Sequence, residues 1–194
     1  MEKENSLSIP VQEKLQESFS TAFQLVDDVV LKNYITRLPS IKVRPLEESL
    51  IKNNISIGTV ESFTVGNFAT MLGNIPGISK VYKGSLVTYQ SETKERLLGI
   101  EHPLIEKYGV VSKEIATLMC VNGKSILDVD LCVSFTGNAG PDAMEGKPVG
   151  EVYIGIAYED VVVYKLNLEG SRKEIALKAI DFAQKKIIEK ILKK

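Results

Sequence analysis

A serine and a lysine, each placed where a predicted strand meets a predicted helix, could form a hydrolytic pair. Ser62 follows the apolar stretch 55–60, and Lys94 lies on the first turn of a helix predicted over 91–98. A serine hydroxyl becomes a nucleophile when a base removes its proton, and N–H groups at a helix start can stabilise an oxyanion. Lys94 would be that base if the helix dipole and partial burial lowered its pKa. The ordinary alternatives are an N-cap serine and a solvated lysine.

A third candidate for chemistry is a glycine-containing loop after the buried strand predicted over 130–135. Gly137 and Gly140 stand three residues apart, which lets a backbone turn tightly and point N–H groups at an anion. Arg172, at the start of the last predicted helix, could add a charge-assisted contact to a phosphate or carboxylate. The loop lacks the Gly-Lys-Ser/Thr ending of a P-loop. An ordinary turn and a surface arginine are therefore the alternatives.

The composition excludes several kinds of catalytic site. With one histidine, His102, and two cysteines, Cys120 and Cys132, the chain cannot supply a two-histidine metalloprotease site or a four-cysteine zinc site. A Ser-His-Asp triad would need His102 as its base. His102 lies between an acid and a proline in a predicted loop, with no serine or carboxylate placed beside it, so we interpret it as structural or solvated. We expect acid–base chemistry without histidine, metal or cofactor.

Length and charge restrict the class of protein further. The chain has 194 residues, which favours one domain with a small appendage. A net charge of −1 argues against nucleic acid or an anionic membrane surface as the main partner. No apolar run approaches the roughly 20 residues that a membrane span needs. The N-terminus is polar and carries acids, unlike a targeting peptide, so we predict a cytoplasmic protein.

The elements that would position these residues alternate between helix and strand. Strands are predicted over 55–60, 86–89 and 130–135, and helices over 45–53, 64–72, 91–98 and 112–125. Two further strands, 151–158 and 161–168, are predicted to pair antiparallel. The last helix opens with a capping box, Ser171 to Glu174. Together these predict an α/β fold, a single three-layer sandwich domain with a mixed sheet over residues 45–194.

Residues 1–44 are predicted to form a helical N-terminal extension to this domain. Apolar residues recur at helical spacing between Pro10 and Asn33, and Pro10 suits a first helical position. Pro39 and Pro45 bracket an extended connector. We expect the chain to form a homo-oligomer by burying the apolar stripe of this extension.

Taken together, the segments resemble the CinA C-terminal domain family, the stand-alone nicotinamide mononucleotide deamidases. The resemblance covers about residues 46–192, with the motifs in the family's order. These motifs are Glu61-Ser62-Phe63-Thr64-Val65-Gly66, Tyr89-Gln90-Ser91-Glu92-Thr93-Lys94, Tyr108-Gly109-Val110-Val111-Ser112, Thr136-Gly137-Asn138-Ala139-Gly140-Pro141-Asp142, Lys147-Pro148-Val149-Gly150 and Gly170-Ser171-Arg172.

The resemblance implies a serine–lysine amidohydrolase whose partner is a small pyridine nucleotide. Ser62 would be the nucleophile and Lys94 its base, while Tyr89 and Thr136 would orient the pair and the amide. Five residues are our candidates for substrate binding, with the nucleotide phosphate expected at the glycine loop and the arginine: Thr64, Gly66, Gly137, Gly140 and Arg172.

Two departures from the family pattern lie beside the candidate nucleophile. Phe63 and Val65 stand where the family has a cysteine and a glycine. A β-branched residue adopts fewer backbone conformations than glycine, so Val65 could change the shape of the loop. The alternative hypothesis is a catalytically impaired member that binds a nucleotide or a protein partner. A further alternative is an amidase for a different small carboxamide.

Overall fold

A five-stranded mixed sheet forms the centre of the structure, a computed structural model that describes residues 44–192. The strands lie in the order β2–β1–β3–β4–β5. β1 pairs in parallel with β2 and β3, whereas β4 runs antiparallel to both β3 and β5. This confirms the predicted mixed sheet and its antiparallel final pair. The strands are β1 (Ile57–Glu61), β2 (Tyr82–Val87), β3 (Leu131–Gly137), β4 (Glu151–Ala157) and β5 (Val161–Asn167).

Helices cover both faces of the sheet, which confirms the three-layer sandwich. The helices are α1 (Arg44–Lys52), α2 (Asn67–Gly73), α3 (Ser91–Leu98), α4 (His102–Tyr108), α5 (Lys113–Leu127) and α6 (Arg172–Leu192), with a 3₁₀ turn over Ile78–Lys80. One apolar cluster joins the sheet to α1, α2 and α6, and a second joins it to α3, α4 and α5. The chain therefore buries apolar side chains on both faces of its sheet.

Alternation along β3 shows how one strand supplies both cores. Leu131, Val133 and Phe135 are fully buried in the cluster with α1, α2 and α6. The Phe135 ring meets the Phe68 ring of α2 edge to face, with 5.5 Å between ring centroids. The alternate residue Ser134 lies on the opposite face, where its hydroxyl donates to the Ala116 carbonyl of α5 over 2.7 Å.

Helix α5 approaches the sheet closely because small residues stand beneath it. A Cβ added to Gly155 of β4 would lie 2.7 Å from the Ala116 carbonyl oxygen and 2.6 Å from the Ser134 hydroxyl. Helix α5 begins where the sequence predicts, since the Ser112 hydroxyl accepts from the Ile115 N–H over 3.2 Å. The backbone of α5 therefore packs directly against the backbone of β4 at Gly155.

Helix α6 starts with the predicted capping box. The Ser171 N–H donates to the Glu174 carboxylate over 2.7 Å, and the Glu174 N–H donates to the Ser171 hydroxyl over 3.4 Å. The apolar residues Ile175, Ala179, Ile187 and Ile191 form a buried stripe along this helix. This stripe faces the sheet and α1, and it fixes the position of Arg172 at the N-terminal end of the helix.

One local prediction is wrong at the start of a helix. The helix predicted over 64–72 begins at Asn67, because Val65 and Gly66 have φ values of 51° and 79°, outside the helical region. Helix α3 covers Ser91–Leu98 as predicted, with Gln90 as its extended N-cap. The chain between Ser62 and α2 is therefore a turn.

His102 opens the short helix α4 instead of lying in a loop. Proline is tolerated in the first turn of a helix, so Pro103 is compatible with this start. The ring lies 2.8 Å from a carboxylate oxygen of Glu95 and 3.4 Å from one of Glu106. The expectation that no carboxylate lies beside His102 is thus wrong. These carboxylates raise the pKa of the exposed imidazole.

The predicted helical extension, its boundary at residue 44 and its role in self-association lie outside the described residues and stay predictions. Between residues 44 and 192, no helix is both long enough and apolar enough to cross a bilayer.

Candidate active site

The carboxyl ends of three parallel strands meet at one edge of the sheet and bring the candidate residues together. Ser62 follows β1, Tyr89 follows β2, and Thr136 lies near the end of β3. Lys94 reaches the same place from the first turn of α3. Ligand sites in α/β folds form at this edge, because the loops that leave the strands there converge.

Lys94 and Ser62 are in hydrogen-bond contact. The Lys94 Nζ donates to the Ser62 Oγ over 3.2 Å, to the Thr88 carbonyl over 2.7 Å and to the Tyr89 carbonyl over 3.3 Å. Lys94 is 1 % exposed and Ser62 is 8 % exposed. The two carbonyls fix the direction of the amine, so its third contact is the serine hydroxyl.

Burial changes the acidity of this amine. Desolvation lowers the pKa of Lys94 from 10.5 to about 8, and the Glu145 carboxylate acts weakly in the opposite direction. The acceptors around the Nζ are carbonyl and hydroxyl oxygens, which are uncharged. At pH 7 about a tenth of the amine is neutral, a fraction that follows from a pKa of about 8. A neutral amine beside a serine hydroxyl can accept its proton.

The turn over residues 62–66 holds the serine through its backbone. The Ser62 N–H donates to the Phe135 carbonyl over 3.0 Å, and the Val65 N–H donates to the Ser62 carbonyl over 3.1 Å. Phe63 is buried in the core beneath α2, whereas Val65 is 54 % exposed. The two departures from the family pattern therefore have different consequences, one for core packing and one for backbone conformation.

The start of α2 does not offer the oxyanion donors that the sequence suggested. The N–H groups of Phe68 and Ala69, in the first turn of α2, donate to the Glu61 carboxylate over 3.2 and 2.8 Å. These donors are already satisfied, so they cannot also stabilise charge beside Ser62. The prediction fails because a side chain from the preceding strand occupies the helix terminus.

Arg172 connects two of the predicted site segments. Its guanidinium donates to the Gly140 carbonyl over 2.6 Å and to the Tyr89 hydroxyl over 2.8 Å. Two of its five N–H donors are used in this way, which leaves donors for an anion. Tyr89 is half exposed, so its contact with Arg172 lies at the surface of the site. The structure thus brings Arg172, Tyr89 and Gly140 together.

Three other predicted residues have different surroundings from those expected. The Thr136 hydroxyl donates to the Val110 carbonyl over 2.6 Å, so it holds the segment before α5. Gly137 is the last residue of β3 and pairs with Val152, where a Cβ would lie 2.7 Å from the Val152 Cα. The Gly140 N–H donates to the Asn138 side chain over 3.0 Å. The Asn138 side chain therefore takes one of the two glycine N–H groups expected to bind a phosphate, that of Gly140, and Gly137 belongs to the strand and not to the loop.

Two threonine hydroxyls near the pair have no hydrogen-bond partner within residues 44–192. Thr64 lies in the turn after Ser62, and Thr88 precedes Tyr89. Both side chains are fully buried. Buried hydroxyls are ordinarily hydrogen-bonded, so these two are candidates for contact with a bound ligand. Gly66, the other predicted binding residue of the turn, is the N-cap of α2, and its carbonyl accepts from the Thr70 N–H over 2.8 Å.

Sequence reasoning missed three residues of this region. Thr88 supplies the carbonyl nearest to the Lys94 amine, and Glu61 bonds to the start of α2. Glu145 accepts from the N–H groups of Val110 and Val111 over 2.8 and 3.2 Å. Only Glu61 carried a signal. It lies two positions after Thr59 and four after Ile57, so strand alternation places a charged residue on a face directed at the core.

The comparison with known proteins identifies the family. The sequence model of the CinA C-terminal domain matches residues 42–191. The chain belongs to the CinA C-terminal domain family. A competence-damage inducible protein of Geobacillus kaustophilus is 42 % identical over 137 residues, which are 70 % of this chain and 33 % of that protein. One from Levilactobacillus brevis is 39 % identical over 135 residues, or 69 % and 32 % of the two chains. The chain thus spans about a third of these relatives' length.

Solved CinA structures have the same fold. The CinA superfamily protein of Klebsiella pneumoniae superposes with a TM-score of 0.76 at 23 % identity, covering 78 % of this chain and 96 % of that one. The competence/damage inducible protein of Agrobacterium tumefaciens gives a TM-score of 0.73 at 27 % identity, with coverages of 76 % and 92 %. The CinA fold therefore accounts for the described domain.

Proposed function

We propose that this CinA-family protein is an amidohydrolase that converts nicotinamide mononucleotide to nicotinate mononucleotide and ammonia. The observation that carries the proposal is the 3.2 Å hydrogen bond between the Lys94 Nζ and the Ser62 Oγ. Burial lowers the pKa of that amine to about 8, which makes it a competent base near neutral pH. The resemblance to the deamidases supplies the substrate class.

The reaction proceeds in two halves at Ser62. The neutral Lys94 amine takes the hydroxyl proton while the Ser62 Oγ forms a bond to the carboxamide carbon. The carbon–nitrogen bond then breaks, and the ammonium of Lys94 returns a proton to the departing ammonia. Water then gives a proton to Lys94 and attacks the resulting ester. As the bond between the acyl carbon and the Ser62 Oγ breaks, Lys94 passes that proton to the Oγ, and the acid product ionises to the carboxylate by giving its proton to ammonia. No proton is lost or gained by the enzyme over the cycle.

The surrounding groups divide between orientation and binding. The carbonyls of Thr88 and Tyr89 keep the Lys94 amine directed at the serine. Arg172 has guanidinium donors beyond those bonded to Gly140 and Tyr89, and these would hold the nucleotide phosphate. The buried Thr64 and Thr88 hydroxyls are proposed partners for the carboxamide.

Ammonia release from nicotinamide mononucleotide tests the proposal. We expect turnover by the purified chain and its loss in Ser62→Ala and in Lys94→Ala, because each substitution removes one member of the pair. Lys113→Ala, on the exposed start of α5, is the matched control and should retain activity. Robust turnover in both Ser62→Ala and Lys94→Ala would overturn the assignment of the pair.

Ammonia release and the thermal stability of the protein with the nucleotide together separate the alternatives. Thermal stabilisation by the nucleotide without ammonia release would favour a binding protein over an enzyme. Turnover of another small carboxamide, with none of nicotinamide mononucleotide, would keep the Ser62–Lys94 chemistry and replace the substrate.

A further inference from the structure

Glu61 is a fully buried carboxylate directly before the proposed nucleophile. It is the last residue of β1 and has no solvent exposure. Strand alternation places it on the face of the sheet that α2 covers, together with Ile57. A carboxylate buried in this way is unfavourable unless hydrogen bonds replace its lost hydration. Its contacts therefore show what the side chain holds in place.

The carboxylate caps α2 from outside the helix. It accepts from the Ala69 N–H over 2.8 Å, from the Phe68 N–H over 3.2 Å and from the Thr59 hydroxyl over 3.2 Å. The first N–H groups of a helix have no partner within the helix. The N-cap residue of α2 is Gly66, which has no side chain to satisfy them. Glu61 thus replaces the usual N-cap side chain.

The backbone of Glu61 reaches the base of the pair. Its carbonyl accepts from the Thr88 N–H over 2.8 Å, and the Thr88 carbonyl accepts from the Lys94 Nζ over 2.7 Å. The same residue is covalently bonded to Ser62. Glu61 is therefore connected to both members of the pair. A peptide bond joins it to Ser62, and two hydrogen bonds through Thr88 join it to Lys94.

We propose that Glu61 is a positioning residue that sets the distance between Ser62 and Lys94. Its side chain fixes the start of α2 and its backbone fixes the end of β1, so both ends of the turn over residues 62–66 are held. This inference rests on the proposed role of Ser62 as nucleophile. Glu61 itself touches no reacting atom.

Glu61→Gln tests the inference with minimal change in shape. A glutamine side chain has one acceptor oxygen, and its NH₂ group cannot accept from a backbone N–H. The variant therefore loses one of the two bonds to Phe68 and Ala69. Asp130→Asn is the matched control. Asp130 accepts from the Ser56 N–H over 2.8 Å next to the opposite end of β1.

Two readouts are measured on the full chain. Hydrogen exchange of the Phe68 and Ala69 amides shows whether their bonds to residue 61 are intact. The rate at which a fluorophosphonate labels Ser62 shows how well Lys94 activates the serine. We expect faster exchange and labelling slower by about tenfold or more in Glu61→Gln, since a displacement of about 1 Å costs on the order of 10²-fold. Asp130→Asn should label within about twofold of the native rate. Nicotinamide mononucleotide turnover should lose kcat with little change in KM, because the side chain contacts Thr59 and the start of α2 and not the ligand.

Native labelling and exchange rates in Glu61→Gln would overturn the inference. If Glu61→Gln fails to fold, Thr59→Val removes a single donor to the carboxylate and should give a smaller change in the same direction. The exchange and labelling measurements do not use the nucleotide. Failure to deamidate nicotinamide mononucleotide would thus refute the proposed substrate without changing the comparison of labelling rates.

Discussion

Replacing Lys94 by methionine should change how stability depends on pH. The native amine titrates at a pKa of about 8 in the folded protein and at 10.5 without burial. A difference of about 2.5 at 1.36 kcal/mol per pKa unit destabilises the folded, protonated state by about 3 kcal/mol. Methionine is similarly long and unbranched, but it does not titrate. Lys94→Met therefore removes this penalty along with the hydrogen bonds of the amine.

Stability changes with pH in a direction set by which state, folded or unfolded, binds the Lys94 proton more tightly. Between pH 8 and 10.5 the unfolded chain holds the Lys94 proton more tightly than the folded protein does, so stability rises with pH. Below pH 8 the whole penalty is present. With these two pKa values, the penalty falls by about 2 kcal/mol between pH 7 and pH 9.5. The native protein should gain this amount relative to Lys94→Met.

Urea unfolding followed by circular dichroism at pH 7 and pH 9.5 measures the effect. The free energy of unfolding is compared between the native protein and Lys94→Met at each pH, so a constant offset from lost hydrogen bonds cancels. Lys113→Met, which removes an exposed lysine, is the control and should follow the native protein. Parallel pH dependence of the native protein and Lys94→Met would refute the conclusion that burial lowers the pKa of Lys94.

Three further predictions concern activity and packing. Deamidation should show kcat/KM rising about tenfold from pH 7 to pH 9, as a base of pKa about 8 becomes neutral, and a maximum below pH 7 would contradict it. Val65→Gly should raise the free energy of unfolding by about 1 kcal/mol, because Val65 has a φ of 51°; Val161→Gly, in strand β5, should lower it. Gly155→Ala should cost about 1–3 kcal/mol in thermal unfolding, since its Cβ would lie 2.7 Å from the Ala116 carbonyl.

Most of the fold could be predicted because its signals are local. The capping box from Ser171 to Glu174 is formed by groups three residues apart, and the pairing of β4 with β5 follows from a short connection. The family could also be predicted, since its motifs occur in order along the chain. Helix α4 was missed because proline after His102 was interpreted as a loop signal, although proline is compatible with a first helical turn.

The sequence predicts which residues belong to the candidate site, but it does not predict all of their contacts. Ser62 and Lys94 were chosen from strand-to-helix junctions, and the structure places them in hydrogen-bond contact. The phosphate nest and the oxyanion donors were predicted from backbone N–H groups alone. Side chains nearby in the chain take those donors once the turns have formed, as Asn138 takes the Gly140 N–H and Glu61 takes those at the start of α2.

The sequence by itself determined most of the elements, the family and the absence of a histidine base from the motifs, because these depend on neighbouring residues and composition. Only the tertiary structure decided that Lys94 meets Ser62, thirty-two residues earlier, and that its amine is buried. That outcome depends on the register of β1 with β2 and on the packing of α3, which together bring Ser62 and the Thr88 carbonyl to the same amine. Burial and distance are properties of the packed chain, and they set the pKa of the Lys94 amine.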